Sequence, residues 1–163
     1  MICHPRLRWS SQLKPKRCAD LRLMKFNLKF SSGFSGSLIG WDAKLIVDGR
    51  GAFSFQWIGP SGPETRTKPR HDFGLTLALF DKFSHELRKL PSSSAFHAGD
   101  DFGYRSIRCT SSGVLDREYV RSLALSDSET DVAFDRIWFS LFALVRPVFL
   151  DLDLSADVIE QSR

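Results

Sequence analysis

The sequence predicts an α+β fold of two layers, an antiparallel sheet with two helices packed on one face. Two observations carry this. Short alternating or apolar segments are joined by Gly- and Ser-rich turns of hairpin length, which join neighbouring antiparallel strands. Two longer segments instead repeat at helical spacing, and they fall after the third and fifth strands, giving the order βββαββα. At 163 residues, 42% hydrophobic and 26% charged, the chain has an ordinary globular balance and the length of one domain.

The first strand is Met24-Lys25-Phe26-Asn27-Leu28-Lys29-Phe30, alternating at period two as a half-buried strand does. Ser31 to Ser37, with Gly33 and Gly36, reads as a turn or bulge. Ala43 to Val47 forms the second strand. Asp48-Gly49-Arg50-Gly51 is a hairpin signal, and Ala52 to Ile58 the third strand, with Phe53, Phe55 and Trp57 on one face. Residues 59–72 read as a loop, because Pro60, Pro63 and Pro69 punctuate them.

Leu75, Leu79, Phe83, Leu87 and Leu90 recur three or four residues apart, which predicts an amphipathic helix over about 73–90 that ends at Pro91. A loop follows to Asp101. Phe102 to Thr110 reads as a strand and Ser111-Ser112-Gly113 as a turn. Residues 114–126 fit a strand over about 118–125 and also fit a helix; the preceding turn favours the strand. Ser128-Glu129-Thr130-Asp131 matches a capping box. The helix it opens, about 130–145, is apolar almost all round and expected to stop at Pro147. Such a helix belongs in the centre of a core or against a partner. Leu150 to Leu154 alternates and suggests an edge strand, and residues 155–163 suggest a frayed tail. The domain is thus expected over 24–154.

The net charge of +4 lies in the first 23 residues, where Arg6, Arg8, Lys14, Lys16, Arg17 and Arg22 face one acid, Asp20. The rest is close to neutral, which argues against nucleic-acid binding by the domain itself and leaves it to the tail. Three readings of this segment stand: a stretch upstream of a start at Met24, a disordered basic tail, and a targeting sequence. It lacks the apolar centre of a secretory signal. The longest apolar run, Ile137 to Leu150, is interrupted by Ser140, Arg146 and Pro147, so no transmembrane helix and no membrane partner is expected. Three cysteines, Cys3, Cys18 and Cys109, make no CxxC pair, which fits a reducing, cytoplasmic setting, and Cys109 reads as a small buried hydrophobe.

No complete catalytic or metal motif occurs, and no cofactor is expected. Gly49-Arg50-Gly51 begins like a phosphate-binding glycine loop but leads into a strand, so it reads as a hairpin turn. His97, Asp100 and Asp101 lie within five residues; an imidazole between carboxylates is the chemistry of acid–base catalysis or metal binding, against which stands a solvated loop. Arg66, Lys68, Arg70 and His71 form a basic stretch, read as a solvated face that would otherwise touch phosphate or an acidic surface. Trp41, beside Asp42, reads as a surface aromatic. Gly33-Phe34-Ser35-Gly36 is not the GxSxG of a nucleophile elbow; two glycines around an aromatic would instead present Phe34 to a partner.

The order of these features resembles the small emfourin-type proteins over residues 24–146. Members carry a GGFxG-like turn, here Ser32-Gly33-Phe34-Ser35-Gly36 with serine in place of the first glycine. They also carry a D-x-F-x-Y-like segment before the second hairpin, here Asp100-Asp101-Phe102-Gly103-Tyr104. The resemblance implies a non-enzymatic protein that binds and blocks a thermolysin-like metalloprotease. Gly33, Phe34 and Gly36 would shape one contact turn, and Asp101, Phe102 and Tyr104 the start of the second hairpin.

Overall fold

A computed structural model describes residues 20–33, 38–91, 102–123, 128–154 and 156–161. β1 (Lys25–Gly33) and β2 (Leu38–Ile46) pair antiparallel, with Phe30 opposite Trp41. The Asp48-Gly49 turn leads into β3 (Arg50–Gly59), and Asp48 itself takes the left-handed conformation at φ 48°. β3 turns through Pro60-Ser61 into β4 (Gly62–Asp72). Helix α1 (Leu77–Lys89) then crosses to β5 (Phe102–Ser111) and β6 (Val114–Ser122). The sheet order is β4-β3-β2-β1-β5-β6, antiparallel throughout, so the fold is the expected α+β sheet with one more strand.

That strand corrects the reading of residues 59–72 as a loop. Pro60 lies in the turn, and Pro63 and Pro69 are tolerated because β4 is an edge strand, paired among the described residues only with β3, where a missing N–H breaks no second ladder. Pro69 sits beside the register shift between Gly51 and Phe53, a bulge position that suits proline. β2 likewise begins at Leu38, well before Ala43. The Ser112-Gly113 turn has both residues at positive φ (52° and 77°), the geometry that matches strand twist, and β6 follows it as a strand, though over Val114–Ser122 rather than about 118–125.

One face of the sheet is apolar. Phe26, Leu28 and Phe30 of β1, Trp41, Ala43 and Leu45 of β2, and Phe53 and Phe55 of β3 are all buried there. Trp41, expected on the surface, is 3% exposed: β2 alternates, and its odd positions point inward. α1 packs on this face, its first turn capped by the Thr76 hydroxyl, which accepts from the Leu79 N–H; Phe80 meets Phe26 at 5.1 Å between ring centres.

The second helix, α2 (Glu129–Asp151), lies on the same face, started by the expected capping box between Ser128 and Asp131. Its Trp138 stacks on Trp41 at 5.4 Å, and Phe149 meets Phe53 edge-on at 5.1 Å. α2 does not stop at Pro147. Proline removes the N–H that would reach the Ala143 carbonyl, but both residues are exposed, on the side of the helix open to water. Burial of Val148 and Phe149 holds the last turns in place. Leu150 to Leu154 is therefore helix end and turn, not an edge strand. A short helix, α3 (Ala156–Gln161), replaces the expected frayed tail and buries Ile159. Before β1, the turn Asp20–Leu23 packs Leu21 partly against the core.

Two outcomes follow. Trp41→Ala removes the ring at the centre of this aromatic seam and is expected to cost about 3–5 kcal/mol of unfolding free energy in urea. Pro147→Ala restores the helix ladder on a solvent face and is expected to stabilise the protein by about 1–3 kcal/mol in the same measurement.

Candidate functional site

The opposite face of the sheet carries no helix among the described residues. At the end where β1 finishes, Gly33 stands directly opposite Phe102 of β5, and Ser31 opposite Tyr104. Of the two segments singled out in the sequence, the described residues Gly33 and Phe102 to Tyr104 are thus brought to one rim. Gly33 is buried at φ 76°, a conformation that glycine adopts without a Cβ clash. The Ser32 hydroxyl accepts from the Ile39 N–H at 3.0 Å, tying the end of β1 to the start of β2. Gly103 allows β5 to approach β1 closely: a Cβ there would lie 2.6 Å from the Ser31 carbonyl oxygen. Phe102 is 55% exposed, a large apolar ring at the rim.

Behind this rim the helix-free face dips into a shallow groove of about 320 Å³. Its middle is Gly40, flanked in register by Ser31 and Gln56, and its walls include Leu38, Ser54 and the half-buried Tyr104. Small residues in the centre make the dip; Lys29 and Asp42 close its side as a cross-strand ion pair at 3.5 Å. These groups offer hydroxyl, amide and apolar contacts, the mixture found on protein-recognition surfaces. Among the described residues, no three His, Cys, Asp or Glu side chains converge as metal ligands would. Phe34, Gly36, His97, Asp100 and Asp101 lie outside the described residues.

The basic stretch is not a solvated loop. Lys68 and Arg66 sit opposite Phe53 and Phe55, on the inner face of β4, and engage the C-terminal end of α2. Arg66 donates to the Leu152 carbonyl at 2.8 Å, and Lys68 and His71 lie 3.7 Å and 3.4 Å from the Asp151 carboxylate. Arg66 thus satisfies a terminal carbonyl, and Arg66 and Lys68 place positive charge at the negative end of the helix dipole. Arg70, at the bulge, takes no part. Trp57 is half-buried beside this junction and lines a cavity of about 240 Å³ with Arg66 and Val158. The Gly49-Arg50-Gly51 segment is the hairpin expected. Gly51 packs so tightly that a Cβ would lie 1.8 Å from the Lys44 carbonyl oxygen.

A second charged cluster escaped the sequence reading. Arg105 and Arg121, opposite each other on β5 and β6, are both buried and share the Asp135 carboxylate of α2. Asp131, one turn earlier, lies 3.8 Å from Arg121, and Arg105 covers the Phe139 ring at 5.0 Å. Two arginines against two aspartates make a compensated lock between helix and sheet rather than a site awaiting an ion. The signal available was the spacing of Asp131 and Asp135, which puts both carboxylates on one helix face. Burial, and secondarily the Asp131 charge, raise the Tyr119 hydroxyl pKa beside this cluster.

Cys109 is buried as expected, 3.8 Å from an Asp116 oxygen that also takes the Arg88 guanidinium at 2.9 Å. Desolvation, and then the Asp116 charge, push its thiol from an ordinary 9.0 up to about 12. Neither the models of known protein families nor the curated proteins match this chain. No helix among the described residues is long and apolar enough to cross a membrane.

Asp135→Ala leaves two buried guanidiniums short of their shared carboxylate and is expected to cost about 3–5 kcal/mol of stability in urea unfolding. Between pH 9.0 and about 12 the unfolded chain loses a Cys109 proton that the folded chain keeps, so this thiol makes stability fall as pH rises. Denaturant midpoints across that window are expected to fall less steeply in Cys109→Ala, and iodoacetamide at pH 8 to label Cys109, by peptide mass, only after unfolding.

Proposed function

We infer that the protein is a non-enzymatic binding module for another protein, with its contact edge at the rim where Gly33 faces Phe102. The observation that carries this is the pairing of Gly33 with Phe102 and of Ser31 with Tyr104 across β1 and β5, with Phe102 exposed beside a groove whose lining includes Ser31, Ser54 and Gln56. An apolar ring on a glycine-shaped edge is the arrangement that anchors a partner pocket, and the hydroxyl and amide groups behind it supply directional contacts. The resemblance to emfourin-type proteins names the partner class: a thermolysin-like metalloprotease, whose cleft the rim would occupy. Phe34, Gly36 and Asp101 complete the proposed contact set with Gly33, Phe102 and Tyr104. The proposed setting is the cytoplasm, in keeping with Cys109 as a free buried thiol.

Titrating a thermolysin-like protease with the full chain, after long preincubation, tests this against cleavage of a small peptide substrate. Activity is expected to fall saturably near one-to-one stoichiometry. Phe102→Ala, at an exposed position, is expected to weaken inhibition about 30-fold while leaving the thermal midpoint unchanged. Undiminished cleavage at several-fold molar excess would sink the metalloprotease reading.

A further inference from the structure

The same helix-free face ends differently at the other end of the sheet. There Arg22, from the turn before β1, Arg50, at the start of β3, and Arg70, at the bulge of β4, line one concavity of about 640 Å³. Three separate elements deliver these guanidiniums. The extra residue opposite the Gly51–Phe53 shift is what frees Arg70 from the inward row of Arg66 and Lys68. Ile46, Gly49 and Pro69 complete the lining apart from one acid, Asp48.

The charge in this concavity is not balanced from within. All three arginines are exposed, and among the described residues none forms an ion pair with a carboxylate. Asp72, opposite Arg50 in register, is turned to the Gly74 N–H, which donates to it at 2.9 Å. Lys25, opposite Ile46, and Lys44, further along β2, extend the positive field over the same face. Arginines gathered around one concavity repel one another, and an anion that several can grip at once relieves this, each guanidinium being a planar fork of N–H donors matched to phosphate oxygens.

We propose that this concavity is a binding site for a small polyanion carrying two or more linked phosphates. Its volume lies in the range of small-ligand pockets. Its lining holds no aromatic ring on which a base would stack, which favours a compact phosphorylated ligand over a nucleic-acid strand. It lies at the opposite end of the sheet from the Gly33–Phe102 rim, so it stands independently of the protease reading.

Calorimetric titration of the full chain with tripolyphosphate, at about 50 mM salt, tests the proposal. Saturable binding is expected with a dissociation constant below about 1 mM, and binding of orthophosphate about tenfold weaker. Arg50→Gln and Arg70→Gln are each expected to weaken tripolyphosphate binding about tenfold, with Arg22→Gln as a third variant, while Lys89→Gln on α1 leaves it unchanged. All four positions are exposed, so thermal midpoints are expected to match the parent. Absence of binding overturns the proposal. So does affinity unaltered by the arginine variants, which would assign binding to the basic residues before Asp20, or an equal loss in Lys89→Gln, which would mean general charge attraction. A single-stranded oligonucleotide that displaces tripolyphosphate and binds more tightly through the same arginines would overturn the small-ligand assignment in favour of nucleic acid.

Discussion

The packing of α2 against the inner face of the sheet is the contact on which the other features rest. Trp41 sits at its centre, stacked on Trp138 and Phe142 and met edge-on by Phe149. An α-helix buries a stripe, and a six-stranded sheet offers a wider surface than one stripe can cover. α1 fills part of the remainder, with Phe80 and Phe83 on the inner face. Both helices use the same face because the apolar residues of β1, β2 and β3 alternate in phase, leaving polar residues on the other side.

Apolar packing sets how close α2 lies, and charge sets where along the sheet it lies. Near its start, Asp135 holds Arg105 and Arg121. At its end, Arg66, Lys68 and His71 of β4 meet Asp151 and the Leu152 carbonyl. The two locks act on opposite margins of the sheet, β5–β6 and β4, and so constrain the helix in rotation as well as in register. This also explains an edge strand with charged residues on its inward side: β4 faces a helix terminus, whose free carbonyls want cations, rather than an apolar stripe.

Among the described residues both helices cover one face, and the outer face has two ends of different chemistry. One presents an exposed aromatic, glycine-shaped backbone and small polar residues. The other presents three arginines and two lysines around the β2–β3 turn. An antiparallel sheet makes this separation possible, because successive strand junctions fall alternately at its two ends: the end of β1 and start of β2 at one, the β2–β3 turn at the other.

Local pattern was enough to read the two-layer α+β class, the two hairpin turns at Asp48-Gly49 and Ser112-Gly113, the capping box at Ser128 and the burial of Cys109. Each of these depends on neighbours within a few residues: strand alternation, positive φ at a turn, a side chain reaching the first helical turn. Other features depended on partners distant in sequence. Glu64-Thr65-Arg66-Thr67-Lys68 has no apolar alternation, so it reads as a strand only once β3 pairs with it and α2 ends above it. Pro147 breaks a helix in isolation, yet here Val148 and Phe149 are buried while Ala143 and Pro147 are exposed. Trp41 beside Asp42 resembles a surface aromatic until the phase of the whole strand is known. The candidate sites follow the same division. Glycines and aromatics at residues 33–36 and 101–104 marked themselves by type, but that Gly33 lies against Phe102, and that Arg22, Arg50 and Arg70 share one concavity, was decided by strand register, a property of chain segments pairing at long range.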